Sequence, residues 1–423
     1  MKCGTSQVCI TPPVGVELCG YAARVQPSVG VHDDLYVRGL FLEEGREKLL
    51  WLHADLIGYD GFWVRGLRQR LTAELDLEER QILVSATHTH AGPVTVTTLR
   101  ETGDVDAAYM SGLADHFVSA ARAAAAQPVE TTLNFGESVC YLAADRRAIS
   151  PRSHMDPALP VLSWCSADGA HAAILANYAM HNTALGPDNR HISGDAGGLA
   201  TAHIREHLPG APTVLFTNGG CGNINPPAQT PDYRVTQQFG RRLGGTVVYA
   251  AETGLATCTD ATLASALTTV KLPFATLTPD EVAREYQRAL AECVPELLFW
   301  QRARRAYDRW QAETLAALAA GRAPTEVEVD LQVVKIGPAA FVAISGEVFS
   351  RMATDLRAVF GPRTYVVGYA NGDIGYLPLA EVYAEGGYEV DMAYKFYGSN
   401  FMVAAGGFEL LRDRALALLR EHA

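Results

Sequence analysis

The chain has 423 residues, 48% of them hydrophobic and 19% charged, which are globular values and exclude disorder as its main character. Its 35 Lys and Arg against 47 Asp and Glu give a net charge of −12 at pH 7, a poor match for a phosphate backbone, so nucleic acid is not an expected partner. The length predicts one large domain or two intimately packed ones. No apolar run approaches the roughly 20 residues that cross a bilayer, and the opening MKCGTSQVCITPP lacks the apolar stretch of a secretion signal. A cytoplasmic location without stable membrane association is the expectation. The 8 cysteines form no CxxC pair and are read as free thiols, because a chain of this size needs no disulfide to hold a core.

Short β-branched runs alternate with helical stretches, which favours an α/β fold of mixed β-sheets layered with helices. In chain order the pattern predicts a strand at 48–53, a helix at 62–75, a strand at 81–86 and a helix at 107–126. A strand at 172–178, a helix at 199–207 and strands at 213–216, 340–344 and 364–367 follow. Thr278, Pro279 and Glu281 have the order of an N-cap, a first-turn proline and a capping-box glutamate. They open a helical insertion at about 278–321 that Pro295 should divide and Gly321 should end. Its Leu297, Phe299, Trp300, Tyr307 and Trp310 read first as packing against the sheet, with a wall of a substrate pocket as the alternative. Without repeats or a long linker, 1–423 is expected to be a single domain.

The polar residues fall at the ends of the apolar runs. Asp55 follows LLWLHAD, His88 and His90 follow ILVSATHTH, and His181 follows AAILANYAMH. FTNGGCGNINP follows a strand, as do Glu347 in FVAISGE and Asp373 with Tyr376 in TYVVGYANGDIGY. In α/β sheets, loops beyond the carboxyl ends of strands can converge on one site. His88 and His90, two apart on extended backbone, face the same side. Either of them, with His181 and Glu347, would make the two-imidazole, one-carboxylate set that suits a catalytic zinc and leaves a position for water.

The segments GVHDDLYVRGLFLEEG, SATHTHAGP, ANYAMH, SGDAGG, FTNGGCGNINP, AISGEVFSRM and NGDIGYLPLAEVYAEGGYE resemble, in order, the catalytic domain of the neutral (non-lysosomal) ceramidases. The resemblance implies that His88, His181, Glu347 and Tyr376 ligate one zinc ion per chain, with His90 beside it as a hydrogen-bonding or proton-transfer group. Arg146 corresponds to an arginine that holds the substrate carbonyl, and Tyr388 to a tyrosine that stabilises the oxyanion. Asn225 stands where the ceramidases carry a catalytic serine, and an amide cannot act as a nucleophile, although it can donate to an oxyanion. Asp195 reads as a helix cap or a pocket residue, and Asn223 and Tyr383 join it as candidate substrate contacts. Asp55 could orient a zinc-bound histidine, and Cys221 reads as a packed thiol near the metal. No immunoglobulin-like C-terminal domain is expected.

The function expected is therefore a zinc-dependent hydrolase that cleaves an amide bond of a small, soluble N-acyl substrate. An esterase or lactonase, and a metal-binding homologue without turnover, are the alternatives. A small molecule is the expected partner, and a homo-oligomer is left open. The absence of GxSxG argues against a serine hydrolase, and that of an early GxGxxG against a Rossmann oxidoreductase.

Overall fold

The computed structural model describes residues 1–147, 153–291 and 298–422. Three mixed sheets arise from one recurring chain pattern. In the first, β1 (Lys2–Cys9), β2 (Tyr36–Glu44) and β3 (Glu47–Ala54) pair antiparallel in turn. Helix α1 (Gly61–Leu75) then crosses over to β4 (Ile82–Ala86), which lies parallel to β3, and α2 (Ala107–Ala126) packs on β1 and β2. In the second sheet, β5 (Thr132–Val139), β6 (Ala158–Cys165) and β7 (His171–Tyr178) are antiparallel. Here α3 (Asp195–His207) leads to β8 (Thr213–Asn218), parallel to β7, and α4 (Tyr233–Thr253) packs on α3.

The third sheet begins with β9 (Leu263–Pro273), after which α5 (Pro279–Ala291) and α6 (Leu298–Ala319) intervene. Strands β10 (Glu326–Ile336) and β11 (Ala339–Ile344) continue the antiparallel run. Helix α7 (Arg351–Phe360) leads to β12 (Thr364–Val367), parallel to β11, and α8 (Gly407–His422) packs on α7 and β9. Antiparallel neighbours need only a short turn, whereas a parallel neighbour needs a crossover. Each sheet therefore ends in a parallel pair with a helix between its strands.

The burial pattern explains which runs form the parallel pairs. Strands β8 and β11 are buried along their whole length, as parallel strands covered on both faces must be. Strand β9 buries Val270 and Leu272 while exposing Thr269 and Lys271. The inner faces of all three sheets share one core, to which Trp51 and Leu83, Trp164 and Leu175, and Phe341 and Tyr365 contribute. Helices α1 to α4 cover the outer faces of the first two sheets, and α7 with α8 covers the third.

Buried polar groups fasten the sheets to one another. Asn177 Nδ2 of β7 donates to Val366 O of β12 at 3.1 Å, and Val84 N of β4 donates to Asn371 Oδ1 at 3.1 Å. His53 of β3 sits with Nδ1 2.9 Å from Ser85 Oγ and Nε2 3.0 Å from Phe216 O of β8. The predicted capping box at α5 forms, with Glu281 N donating to Thr278 Oγ1 and Thr278 N to the Glu281 carboxylate. Gly321, at φ 61°, follows the end of α6. Pro295 and Leu297 and the side chain of Phe299 lie outside the described residues. The hairpin packs differently from the expectation: α6 lies on the 393–402 segment, where Trp310 meets Tyr394 and donates to Asn400 O at 2.8 Å. The described cysteines are free thiols. Among the described residues, no helix is long and apolar enough to cross a membrane.

Burial lowers the pKa of His53 to about 4, so the folded state favours the neutral ring. Its contribution to stability is complete above the unfolded value near 6.5 and is lost as pH falls through about 4. The loss amounts to about 3 kcal/mol. Denaturant titrations between pH 7 and 4 should show this fall, with a shallower slope for His53→Gln.

Candidate metal centre

The carboxyl ends of the three parallel pairs meet at one point, and each sheet brings one donor to it. His88 follows β4, His181 follows β7 and Glu347 follows β11, and their ligating atoms all lie within 4.8 Å of one another. All three residues are buried. His88 Nδ1 is 2.6 Å from Ile57 O, and His181 Nδ1 is 3.0 Å from Ile224 O. With both Nδ1–H groups given to backbone carbonyls, both Nε2 atoms face the cluster, which is the arrangement a metal-bound imidazole needs. His181 Nε2 lies 3.0 Å and His88 Nε2 3.6 Å from Glu347 Oε2.

The carboxylate is held by more than the imidazoles. The Tyr397 hydroxyl donates to Oε1, and the Tyr369 hydroxyl lies 3.2 Å from Oε2. Burial works against a charge on Glu347, but the His181 hydrogen bond and the nearby imidazoles overcome it and hold the carboxyl at about 2. Burial dominates at His88 and keeps that ring neutral, with its pKa near 4. At His181 burial is outweighed by Cys221 and Glu347, and the pKa rises to about 9. Two imidazoles and an ionised carboxylate, with their outer nitrogens already fixed, are a donor set that can hold a divalent cation.

The Gly-rich turn after β8 brings these loops together. Gly222 N donates to Val348 O at 2.9 Å, and a Cβ on Gly222 would stand 2.3 Å from Glu347 O. The strand bearing the carboxylate can approach only because the side chain is a hydrogen atom. Ile224 and Asn225 then pair with Asp145 and Ala144, which sets Arg146 beside Asn225. Arg146 Nε donates to Glu389 Oε1 at 2.6 Å and Nη1 to Asn225 Oδ1 at 3.4 Å. Its guanidinium lies over the rings of Tyr376 and Tyr388, at 5.3 and 5.6 Å. Burial opposes its charge, but Tyr376, Glu389 and Glu347 hold it protonated.

A cavity of about 740 Å³ opens onto the cluster, within the range that takes a drug-sized ligand. His88, His90, Arg146, His181, Asn225, Glu347, Tyr376 and Tyr388 all line it. The alternative reading of the hairpin aromatics applies here, since Trp300 and Tyr307 line the same cavity. His90 Nε2 is 3.2 Å from His88 Nε2. Burial, with His88 and His181 beside it, pushes the His90 pKa far below the usual imidazole range. The ring is walled in by Gly20, where a Cβ would come within 2.4 Å of it, and by Tyr21, edge-on at 4.8 Å.

Other expected residues are tied to the scaffold. Asp195 is fully buried and accepts from Ala184 N at 3.2 Å and Leu185 N at 2.8 Å, fastening the loop after His181 to α3. Asn223 donates to Asp145 Oδ2 and accepts from Ser350 N, each at 2.9 Å. Tyr383 donates to Val403 O at 2.6 Å. None of these three is among the residues lining the cavity. Asp55 pairs with Arg38 at 2.8 Å and does not orient His88, whose Nδ1 is taken by Ile57 O. Cys221 is buried, with Sγ 3.4 Å from the Tyr369 hydroxyl. Tyr369, Tyr397 and Glu389 were not singled out in the sequence. Only their position in the stretch 365–397, dense in tyrosine, could have drawn attention to them.

Fold and site together define a layered α/β protein with a candidate metal centre at the foot of a deep pocket. Residues 2–214 match the family of neutral/alkaline non-lysosomal ceramidases, in its N-terminal part, and the chain belongs to that family. It is 24% identical over 238 residues to the neutral ceramidase of Pseudomonas aeruginosa, a match that takes in 50% of this chain and 34% of that relative. The crystal structure of the neutral ceramidase from Pseudomonas aeruginosa superposes with a TM-score of 0.77 at 20% identity, over 99% of this chain and 74% of that one. A ceramidase complexed with C2 gives a TM-score of 0.77 at 19% identity, over 99% and 75% of the two chains. The likeness to these structures establishes the fold.

Replacing His181 or Glu347 by Ala is expected to weaken metal binding by more than the roughly 10–100-fold that loss of an outer partner costs, as read by chelator competition. Because a metal must displace the His181 proton, affinity should rise about tenfold per pH unit and level off near pH 9. An affinity flat from pH 6 to 9 would contradict this.

Proposed function

We propose that the chain is a zinc-dependent hydrolase that cleaves the amide bond of a small, soluble N-acyl compound. The observation that carries this reading is the His88, His181 and Glu347 cluster facing a pocket that also presents His90, Arg146 and Asn225. Two imidazole nitrogens and one carboxylate suit zinc. A zinc ion held there would polarise a carbonyl and lower the pKa of water from about 15.7 towards about 7.

The chain's own groups do the rest. Arg146, pinned through Nε to Glu389 and through Nη1 to Asn225, keeps Nη2 for the substrate carbonyl and the oxyanion that develops from it. Tyr388, half exposed at the pocket, can donate to the same oxygen. Asn225 turns its amide oxygen to Arg146, so its NH2 group is free to donate to that oxygen. His90, neutral at pH 7, can accept the proton of the attacking water and return it to the departing amine. With an amide at 225 in place of a hydroxyl, no acyl–Asn225 intermediate forms, and water attacks directly. The family relationship supports hydrolysis, and the cavity volume of about 740 Å³ supports a substrate of limited size.

Metal analysis combined with a screen of N-acyl amides, esters and lactones, with and without chelator, tests the reading. Chelator-sensitive amide cleavage is expected, and undiminished activity in metal-free protein would overturn it. Arg146→Ala should lower kcat by roughly 10²–10³-fold. Asn225→Ala should lower it less and leave the metal content unchanged, as measured by steady-state kinetics and elemental analysis.

A further inference from the structure

Arg146 and Tyr388 approach the oxyanion position from remote parts of the chain, and the carboxylate that meets the arginine directly follows the tyrosine in sequence. We infer that Glu389 is a positioning residue, which aims the unused amino group of Arg146 at the point Tyr388 faces. This rests on the hydrolase reading of the preceding section and goes beyond it, because the group that does the aiming is not among the residues lining the cavity.

Glu389 divides its oxygens between two arginines. Oε1 accepts from Arg146 Nε at 2.6 Å and Oε2 from Arg147 Nη1 at 2.7 Å. Arg147 Nη2 goes on to Gly386 O at 2.8 Å and Glu385 Oε2 at 3.2 Å, which clips the 385–389 segment to residues 146 and 147. Glu389 is 2% exposed, and a carboxylate so far from water requires a paired charge and occupied oxygens. The two guanidinium groups supply both. A guanidinium is a rigid planar fork, so two anchored nitrogens fix the third. With Nε on Glu389 and Nη1 3.4 Å from Asn225 Oδ1, the direction of Nη2 is settled, and Nη2 has no hydrogen-bond partner among the described residues. The contact to the amide is the longer and lacks the second charge, so the carboxylate carries most of the anchoring.

The local backbone sends the tyrosine and the carboxylate to different sides. Tyr388–Met392 form a single π-helical turn, a form that recurs at functional sites. Asp391 N donates to Gly387 O at 2.7 Å and Gly387 N to Asp391 Oδ2 at 2.8 Å, which closes the turn. Gly387 has φ 103°, and a Cβ there would stand 2.6 Å from Arg147 Nη1, so the clip requires glycine at this position. Tyr388 is half exposed and lines the cavity, whereas Glu389 is buried. One turn thereby presents a donor on its open side and the anchor of a second donor on its closed side.

Phenylphosphonate, a tetrahedral anion, probes this arrangement in the metal-loaded full chain without requiring turnover. Its Kd should rise roughly tenfold or more in Arg146→Ala and in Glu389→Gln, with less than about a twofold further change in the double variant. A purely structural role for Glu389 predicts a loss as large without Arg146 as with it. With an N-acyl p-nitroanilide as substrate, Glu389→Gln should lower kcat by roughly 10–100-fold while KM and metal content hold, since the aimed group acts in the transition state. Glu389→Asp, which retains the charge one methylene further back, takes the place of the glutamine variant should that one fail to fold, and should obey the same cycle. Wild-type kcat and phosphonate affinity in the Glu389 variant, or a loss that persists undiminished in the Arg146→Ala background, would overturn the inference. Protein that binds the phosphonate as described and hydrolyses nothing would sink the hydrolase reading alone, whereas protein that does neither would sink both.

Discussion

An ionised carboxylate lies where three sheets meet, and the architecture around it answers to that charge. Glu347 is 2% exposed. A carboxylate removed from water costs several kcal/mol unless it is paired and hydrogen-bonded. His181, Tyr369 and Tyr397 satisfy its two oxygens, and two backbone carbonyls orient the imidazoles so that their free nitrogens point inward. None of these partners is close to Glu347 along the chain. The charge is tolerable only in the completed fold, which ties the chemistry of the site to the tertiary structure as a whole.

The repetition of one strand pattern explains how the groups arrive. Each sheet is an antiparallel run that ends in a helix crossover and a parallel strand, and each contributes one donor just past a member of that parallel pair. Strands buried on both faces disfavour such groups along their length, so the three donors sit just past the strand ends. The polar links from β3 to β8, from β7 to β12 and from β4 to Asn371 fix the sheets relative to one another. The imidazole and carboxylate positions inherit that rigidity.

The sequence made part of this legible and left the rest out of view for physical reasons. The runs at 48–53, 81–86, 172–178, 213–216, 340–344 and 364–367 coincide with the members of the three parallel pairs, because continuous apolar runs are what double-sided burial selects. The antiparallel partners escaped notice. Lys2–Cys9 reads KCGTSQVC and Thr132–Val139 reads TLNFGESV, small and polar stretches that resemble loops until a neighbouring strand is known. His88, His181 and Glu347 could be singled out because each follows an apolar run. Asp195 reads in the sequence as a helix cap or a pocket residue and Asn223 as a substrate contact, yet their side chains are taken up by main-chain amides and a buried aspartate. Such assignments depend on which remote segment lies opposite, and local patterning carries no record of it. Tyr369 was passed over for the same reason, since nothing beside it in the chain signals the imidazole it stacks on.

The cavity walls have a different origin from the donors at its base. Trp300 and Tyr307 come from the α5 and α6 hairpin, Tyr21 and Ala22 from an irregular loop near the start of the chain, and Met392 and Phe396 from the turns after Tyr388. These elements lie outside the three strand ladders. Insertions and substitutions there can remould the chamber while the ion-holding apparatus stays as it is, so relatives built on this scaffold can diverge in what they accept without reinventing how they react.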